Sequence, residues 1–231
     1  MRPKHLKFPF QWESREPLLL DGVLYVPQWY EGHDHWPKGD LESLFSLYSS
    51  ASIEYCSGNG TWVAEKAEKQ PAKLWIAVEK RFDRVQKIWA KKHNLSLGNL
   101  LIVCGDALTF TKHYLKSNSI EEVFVNFPDP WPKARHARNR IIKDDFVQEM
   151  TRISKVGAET VLVTDDAPYS GQMTFEMLKD NIWRASFPFP FYETEWPGYG
   201  SSFFDSLWKD RGREVRYMKF KKTAEYELVH E

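Results

Sequence analysis

Acidic residues recur where β-rich runs of this chain end. Glu54 opens the run Glu54-Tyr55-Cys56-Ser57-Gly58-Asn59-Gly60. Gly58 and Gly60 there let a backbone turn tightly and approach a ligand closely. Glu79 closes Ile76-Ala77-Val78-Glu79, 19 residues past Gly60. At that separation an acid accepts hydrogen bonds from ribose hydroxyls. Asp106, in Val103-Cys104-Gly105-Asp106-Ala107, is placed against an adenine edge or caps the next helix. Singly, each has a bland reading: structural glycines, a solvated acid at a helix start, a cap. Three acids at three consecutive strand ends outweigh those readings and describe a nucleotide-like cofactor site. A dinucleotide would set its pyrophosphate on a helix N-terminus, and Glu54 at the turn would repel it. The acid suits a phosphate-free cofactor with an amino group and a sulfonium cation, which points to S-adenosylmethionine.

A second constellation follows. In Asn126-Phe127-Pro128-Asp129-Pro130-Trp131-Pro132-Lys133, three prolines fall within five residues. Proline fixes φ and pushes its predecessor out of the helical region, so this is a stiff loop holding Asp129 and Trp131 at a strand end. Lys133 to Lys143 then carries five Lys or Arg in eleven residues and no acid. A solvated charged face normally mixes signs. On a chain with 32 basic and 32 acidic residues and zero net charge, this is the local positive patch that RNA binding needs. Asp165, in Val163-Thr164-Asp165-Asp166, ends one more β-rich run.

The elements that must position these residues show in the periodicity. Strands are expected over 52–56, 73–78, 100–104, 122–126 and 159–164. Helices are expected over 61–69, 81–93, from the third strand to about 115, 144–154 and 169–180. Two late β-rich stretches lie near 183–187 and 215–220. Five β–α repeats imply parallel strands with right-handed crossovers: a doubly wound, mostly parallel α/β sheet with a late antiparallel edge hairpin. Ligands bind such sheets outside the carboxyl ends of the strands, where the acids lie. Residues 1–48 are irregular and rich in Pro, Trp, Phe and His, and read as an aromatic N-terminal extension wrapping onto a domain of 49–231. Leu18 to Tyr25 reads as a small hairpin turning at Asp21-Gly22, and Trp29 and Trp36 as packing residues.

Other classes are disfavoured. Cys56 and Cys104 have no metal spacing and read as reduced thiols. His33-Asp34-His35 beside Glu31 is an irregular loop rather than a metal site, so no metal is expected. No apolar run is long enough to cross a membrane, and no signal-type segment opens the chain; the expected place is the cytoplasm, as a monomer or small homo-oligomer. An NAD-linked oxidoreductase lacks its pyrophosphate turn. A cofactor-binding protein that docks on RNA without catalysis stays open, as does methylation of another RNA.

The run Phe127-Pro128-Asp129-Pro130-Trp131-Pro132-Lys133-Ala134-Arg135-His136, with Thr164-Asp165-x-x-x-Tyr169 and Ser202-Phe203-Phe204-Asp205 before Gly212, resembles the bacterial tRNA (guanine-N7-)-methyltransferase family over roughly 50–220. The resemblance implies a class I methyltransferase (Rossmann-like) fold and methyl transfer from S-adenosylmethionine to guanine N7 in the tRNA variable loop. It implies that Glu54, Gly58, Gly60, Glu79 and Asp106 bind the cofactor. Asp129 would be the active-site acid where cofactor and guanine meet. Lys133, Arg135, His136, Arg138, Arg140, Asp165, Ser202 and Asp205 would bind the tRNA substrate. Cys56 departs from the family's first turn glycine, and Ser202 and Asp205 replace Thr and Glu.

Overall fold

The computed structural model describes residues 1–10, 15–200 and 202–224. The chain divides into two compact units, Met1–Leu115 and Lys116–Glu231.

The first unit holds β1 (Leu18–Leu20), β2 (Val23–Val26), α1 (Gly39–Ser46), β3 (Ser50–Tyr55), α2 (Thr61–Lys69), β4 (Lys73–Glu79), α3 (Phe82–Asn94), β5 (Leu100–Gly105) and α4 (Ala107–Tyr114). Its strands run in the order β1-β2-β5-β4-β3. β3, β4 and β5 are parallel. Leu74 to Glu79 are all buried, the unbroken pattern of a parallel strand covered on both faces. α2 packs on β4 and α3 on β5.

The expected hairpin forms: Asp21 and Gly22 both take left-handed φ (52° and 74°), as a two-residue turn matched to strand twist requires. The extension does more than wrap, because β2 enters the sheet and pairs in parallel with β5, Val23 opposite Ile102. Val23 to Val26 are four consecutive buried residues, suited to a strand with two covered faces. A Cβ on Gly105 would stand 2.7 Å from the Val26 carbonyl oxygen, so glycine there permits the approach.

The rest of the extension is held by His33. It is buried; its Nδ1 lies 2.7 Å from the Tyr114 hydroxyl, and its ring stacks on His113. Burial first, then the neighbouring His113, lower its pKa below the ordinary imidazole value, against weaker opposing effects of the Pro27 backbone and Asp34. The unfolded chain therefore takes up this proton more readily. The contribution is present above about pH 6.5 and is lost as pH falls through the lowered value. The midpoint of urea unfolding should fall more steeply between pH 7 and pH 5 in the wild type than in His33→Asn, which keeps a polar side chain but cannot protonate. Parallel pH profiles would refute this.

The second unit holds β6 (Ile120–Asn126), α5 (Asp144–Ile153), β7 (Ser154–Thr164), α6 (Ala167–Leu178), β8 (Trp183–Ala185), α7 (Phe203–Asp210) and β9 (Arg216–Lys222). β6 and β7 are parallel, and β9 is antiparallel to both β7 and β8, in the order β6-β7-β9-β8. The late strands thus form the expected antiparallel edge. β7 starts at Ser154, earlier than the apolar pattern indicates, because Ser154 already pairs with Ile120; a register irregularity follows, with Lys155 to Gly157 not buried, before pairing resumes at Glu159 opposite Glu122. Lys222 is buried and donates to the Thr151 and Ser154 carbonyls (3.0 and 2.8 Å), fixing the α5–β7 junction.

One expectation about packing needs correction. Trp36 packs on Tyr114, but Trp29 is 90% exposed: it sits in the turn after β2, with no described element above it. Cys104 lies on β5 and Cys56 in the turn after β3; both are the free thiols expected, and burial pushes the Cys104 thiol up to about 12.

Candidate active site

In the first unit the turn after β3 is built from left-handed residues: Cys56 (φ 61°), Gly58 (φ 57°) and Gly60 (φ 72°). Gly60 is needed twice over, since a Cβ there would also meet Ile88 Cγ1 at 2.7 Å. The turn is tied down by Ser57 N–H donating to Val78 O (3.2 Å) and the Ser57 hydroxyl donating to Glu54 O (2.9 Å). Gly58 N–H donates to Glu79 Oε2 at 2.9 Å, and Arg81 N–H donates to Glu79 Oε1 at 2.8 Å. Glu79 is 5% exposed and Glu54 2%, so neither is a solvated surface acid. Buried carboxylates are held by donors such as these. Arg84 adds a cation 3.6 Å from Glu79 Oε2.

Asp106 takes the second of the two roles the sequence allows it, the helix cap. Its Oδ1 accepts from Thr109 N–H (3.1 Å) and the Thr109 hydroxyl (3.2 Å), capping α4. Its Oδ2 lies 3.9 Å from Lys80 Nζ. The turn glycines, Glu54, Glu79 and Asp106 thus gather at the carboxyl ends of three adjacent parallel strands. Each carboxylate oxygen has two lone pairs, so Glu79 can hold the turn and still accept from a ligand. Such an acceptor-rich set fits a ligand presenting an ammonium, ribose hydroxyls and an aminopurine edge.

Cys56 carries a strain that glycine would not. A non-glycine residue in the left-handed region costs about 1–2 kcal/mol, offset in part by the roughly 0.5–1 kcal/mol entropic cost of glycine. Cys56→Gly should therefore leave the protein unchanged to slightly more stable, raising Tm by up to about 3 °C, as calorimetry would measure. A lower Tm would mean that the thiol contributes more than the strain costs.

In the second unit β6 delivers the proline loop. Phe127 (φ 47°) and Trp131 (φ 43°) are both left-handed, and Phe127 N–H donates to Val163 O at 2.9 Å. Pro128 is buried and Asp129 is exposed. The basic run opens as a short 3-10 helix, Ala134–Asn139, with Lys133, Arg135 and Arg138 exposed and His136 half-buried, edge-on to Trp131 at 5.8 Å. Arg140 behaves differently. Its Nε donates to Pro130 O (2.7 Å), its Nη1 donates to Gln172 Oε1 (2.5 Å), and its guanidinium lies 4.8 Å over the Tyr169 ring. It is the clamp that fixes the Asp129 loop against α6.

Asp165, ending β7, is paired with Arg213 at 2.5 Å, and Arg213 stacks on Trp208 at 4.2 Å. The Ser202 hydroxyl accepts from Asp205 N–H at 3.1 Å, capping α7. Asp205 is buried, accepts a hydrogen bond from the Tyr217 hydroxyl and lies 3.3 Å from Lys209. Burial and then Asp205 raise the Tyr217 pKa, keeping that phenol protonated. Asp165 and Asp205 are thus held by separate partners. Arg213, Gln172 and Tyr217 escape a reading of the sequence because only folding brings them to the residues they hold.

A family model described as putative methyltransferase matches residues 49–186. The tRNA (guanine-N(7)-)-methyltransferase of Chlamydia caviae is 43% identical over 97% of this chain and 99% of that protein. The enzyme of the same name from Chlamydia felis is 43% identical over 98% of this chain and 100% of that one. Among solved structures, the 16S rRNA methyltransferase KamB superposes with a TM-score of 0.60 at 17% identity, over 81% of this chain and 94% of that one. At that identity the likeness shows the fold alone: the α/β methyltransferase fold with a mostly parallel sheet and an antiparallel edge.

Proposed function

The chain belongs to the tRNA (guanine-N(7)-)-methyltransferase family, and on that basis we propose that it transfers a methyl group from S-adenosylmethionine to N7 of a guanine in the tRNA variable loop. One structural observation supports this reading most directly. A loop stiffened by prolines and clamped by Arg140 presents an exposed carboxylate, Asp129, within a few residues of the exposed cations Lys133, Arg135 and Arg138. That pairing suits a base held by its N–H groups and a backbone held by its phosphates.

S-adenosylmethionine supplies an electrophilic methyl group on a sulfonium. In this reading Glu54 accepts from the amino group, Glu79 from the ribose hydroxyls and Asp106 Oδ2 from the adenine edge, with Gly58 and Gly60 giving backbone room.

Guanine N7 carries a lone pair and no proton, so it would take the methyl group as the carbon–sulfur bond breaks and S-adenosylhomocysteine leaves, with no need of a general base. Because N7 must stay free, the base is gripped by its Watson–Crick edge, where it offers N–H donors. Asp129 and Asp165 are the acceptors, the latter oriented by Arg213. Both carboxylates also favour the positive charge that develops on the ring, without reorganising. The base reaches them by turning out of the RNA stack. Lys133, Arg135 and Arg138 take phosphates, with His136 beside them on Trp131. Arg140 acts through the loop it clamps. Ser202 and Asp205 act through α7 and Tyr217, shaping the surface beside Arg213. The work is done where tRNA is, in the cytoplasm; among the described residues no helix is long and apolar enough to cross a membrane.

The test is transfer of labelled methyl from S-adenosylmethionine to unmodified tRNA, followed by chain cleavage chemistry specific for N7-methylguanine. Label at a variable-loop guanine supports the proposal. Label at another atom or in another RNA would replace it, and cofactor binding without transfer would leave an RNA-docking protein in its place.

A further inference from the structure

The part of the chain with no role so far is the extension, and one cavity lies against it. This cavity, about 410 Å³, is lined by Phe8, Tyr25 and Trp29 from the extension and by Lys80, Phe82 and Asp106 from the strand ends, among others. Four rings form its apolar body: Phe8 and Phe10 stand edge-on to Tyr25 at 6.1 and 5.8 Å, and Phe8 stands edge-on to Phe82 at 5.1 Å. Its polar side carries Asp106, whose Oδ2 is not used by the α4 cap. The Tyr25 hydroxyl is shut in with no hydrogen-bond partner among the described residues. At the rim, Trp29 offers an indole that is 90% exposed, large apolar area that no described residue covers.

A flat, apolar ring with an amino edge meets all of these features. Aromatic faces stack any base, and a carboxylate oxygen accepts from an exocyclic amino group. The reading above already sets the adenine edge against Asp106; we propose that the extension completes that site as a cofactor-binding element, with Trp29 as the ring that covers the base. The inference rests on the methyltransferase reading above, and it gives residues 1–30 a function that the strand-end acids do not require. An adenine from RNA shares the same chemistry, so the test must separate the two sources.

The experiment is titration calorimetry with S-adenosylhomocysteine and with 5′-methylthioadenosine, which lacks the amino-acid end, on wild type, Trp29→Ala and Glu54→Gln. Binding of unmodified tRNA is measured beside them without cofactor. Trp29→Ala should weaken both adenosyl ligands about five- to fiftyfold and leave tRNA affinity unchanged. Glu54→Gln should weaken S-adenosylhomocysteine only. If Trp29→Ala binds both ligands as wild type does while Glu54→Gln loses S-adenosylhomocysteine, the cofactor site stands and the covering role of Trp29 is refuted. If Trp29→Ala loses tRNA and keeps the adenosyl ligands, the cavity reads an RNA base and the assignment is overturned. If wild type binds neither adenosyl ligand, the methyltransferase reading itself fails.

Discussion

Asp129→Ala lowers kcat/KM for methyl transfer to tRNA by about 10²–10³-fold, with Tm within about 2 °C of the wild type. The two halves of this expected result come from different observations. The carboxylate is exposed at the tip of the proline loop, so the fold does not need it, and a surface substitution of this kind changes stability by roughly 0.5 kcal/mol or less. Its proposed work is to orient guanine and to favour a charge that exists only as the methyl group moves. Interactions stronger in the transition state than in the ground state appear in kcat rather than KM. Asp129→Asn should recover part of the loss, because the amide oxygen still accepts a hydrogen bond but carries no charge. A variant that methylates like the wild type would move the base-gripping role to Asp165. Single-turnover rates with saturating tRNA, with circular dichroism to check the fold, decide the matter.

The second large effect is on tRNA affinity. Lys133→Ala, Arg135→Ala and Arg138→Ala combined should reduce the slope of log K against log salt by about 2–3. Each phosphate that a side chain neutralises releases about 0.7–0.9 counterions, and the triple variant gives up three such side chains. All three are exposed, so the variant should melt like the wild type. Arg140→Ala is the contrasting case. Removing it strips a donor from Pro130 O and from Gln172, which loosens the loop that carries Asp129. It should therefore reduce kcat more than it reduces the salt slope. Filter binding at several salt concentrations, with kinetics on the same variants, separates the two kinds of arginine. Equal salt slopes for the triple variant and the wild type would remove the basic run from the RNA-binding surface.

The contrast between Arg138 and Arg140 also shows where a sequence stops being legible. Both lie in one basic run, and nothing local separates them; only the distant Gln172 and Tyr169 make one a clamp. The parallel strands, the helix over 61–69 and the Asp21-Gly22 turn are readable because apolar period and turn chemistry are local signals. The pairing of β2 with β5 joins residues almost eighty positions apart, and no periodicity encodes it. α7 does have a local signal, since Ser202 followed three residues later by an acid, Asp205, is the spelling of a helix start. The same two residues also stand where the family motif has Thr and Glu, and that resemblance hides the cap. The gathering of Glu54, Glu79 and Asp106 at adjacent strand ends is legible because each closes a β-rich run, whereas the Asp165–Arg213 pair is not.

The hairpin carries one more consequence, for a chain being made and kept soluble. Without β2, β5 would be the rim of its sheet, a run of apolar residues with open backbone groups, the kind of border on which chains aggregate. β2 covers it, and the new border is β1, only three residues long, too short to template much pairing. Because Val23 pairs with Ile102, the segment that shields the rim is synthesised first and must wait for its partner to emerge. Deleting residues 1–26 therefore uncovers a sticky border, and the shortened chain should be recovered largely in the insoluble fraction.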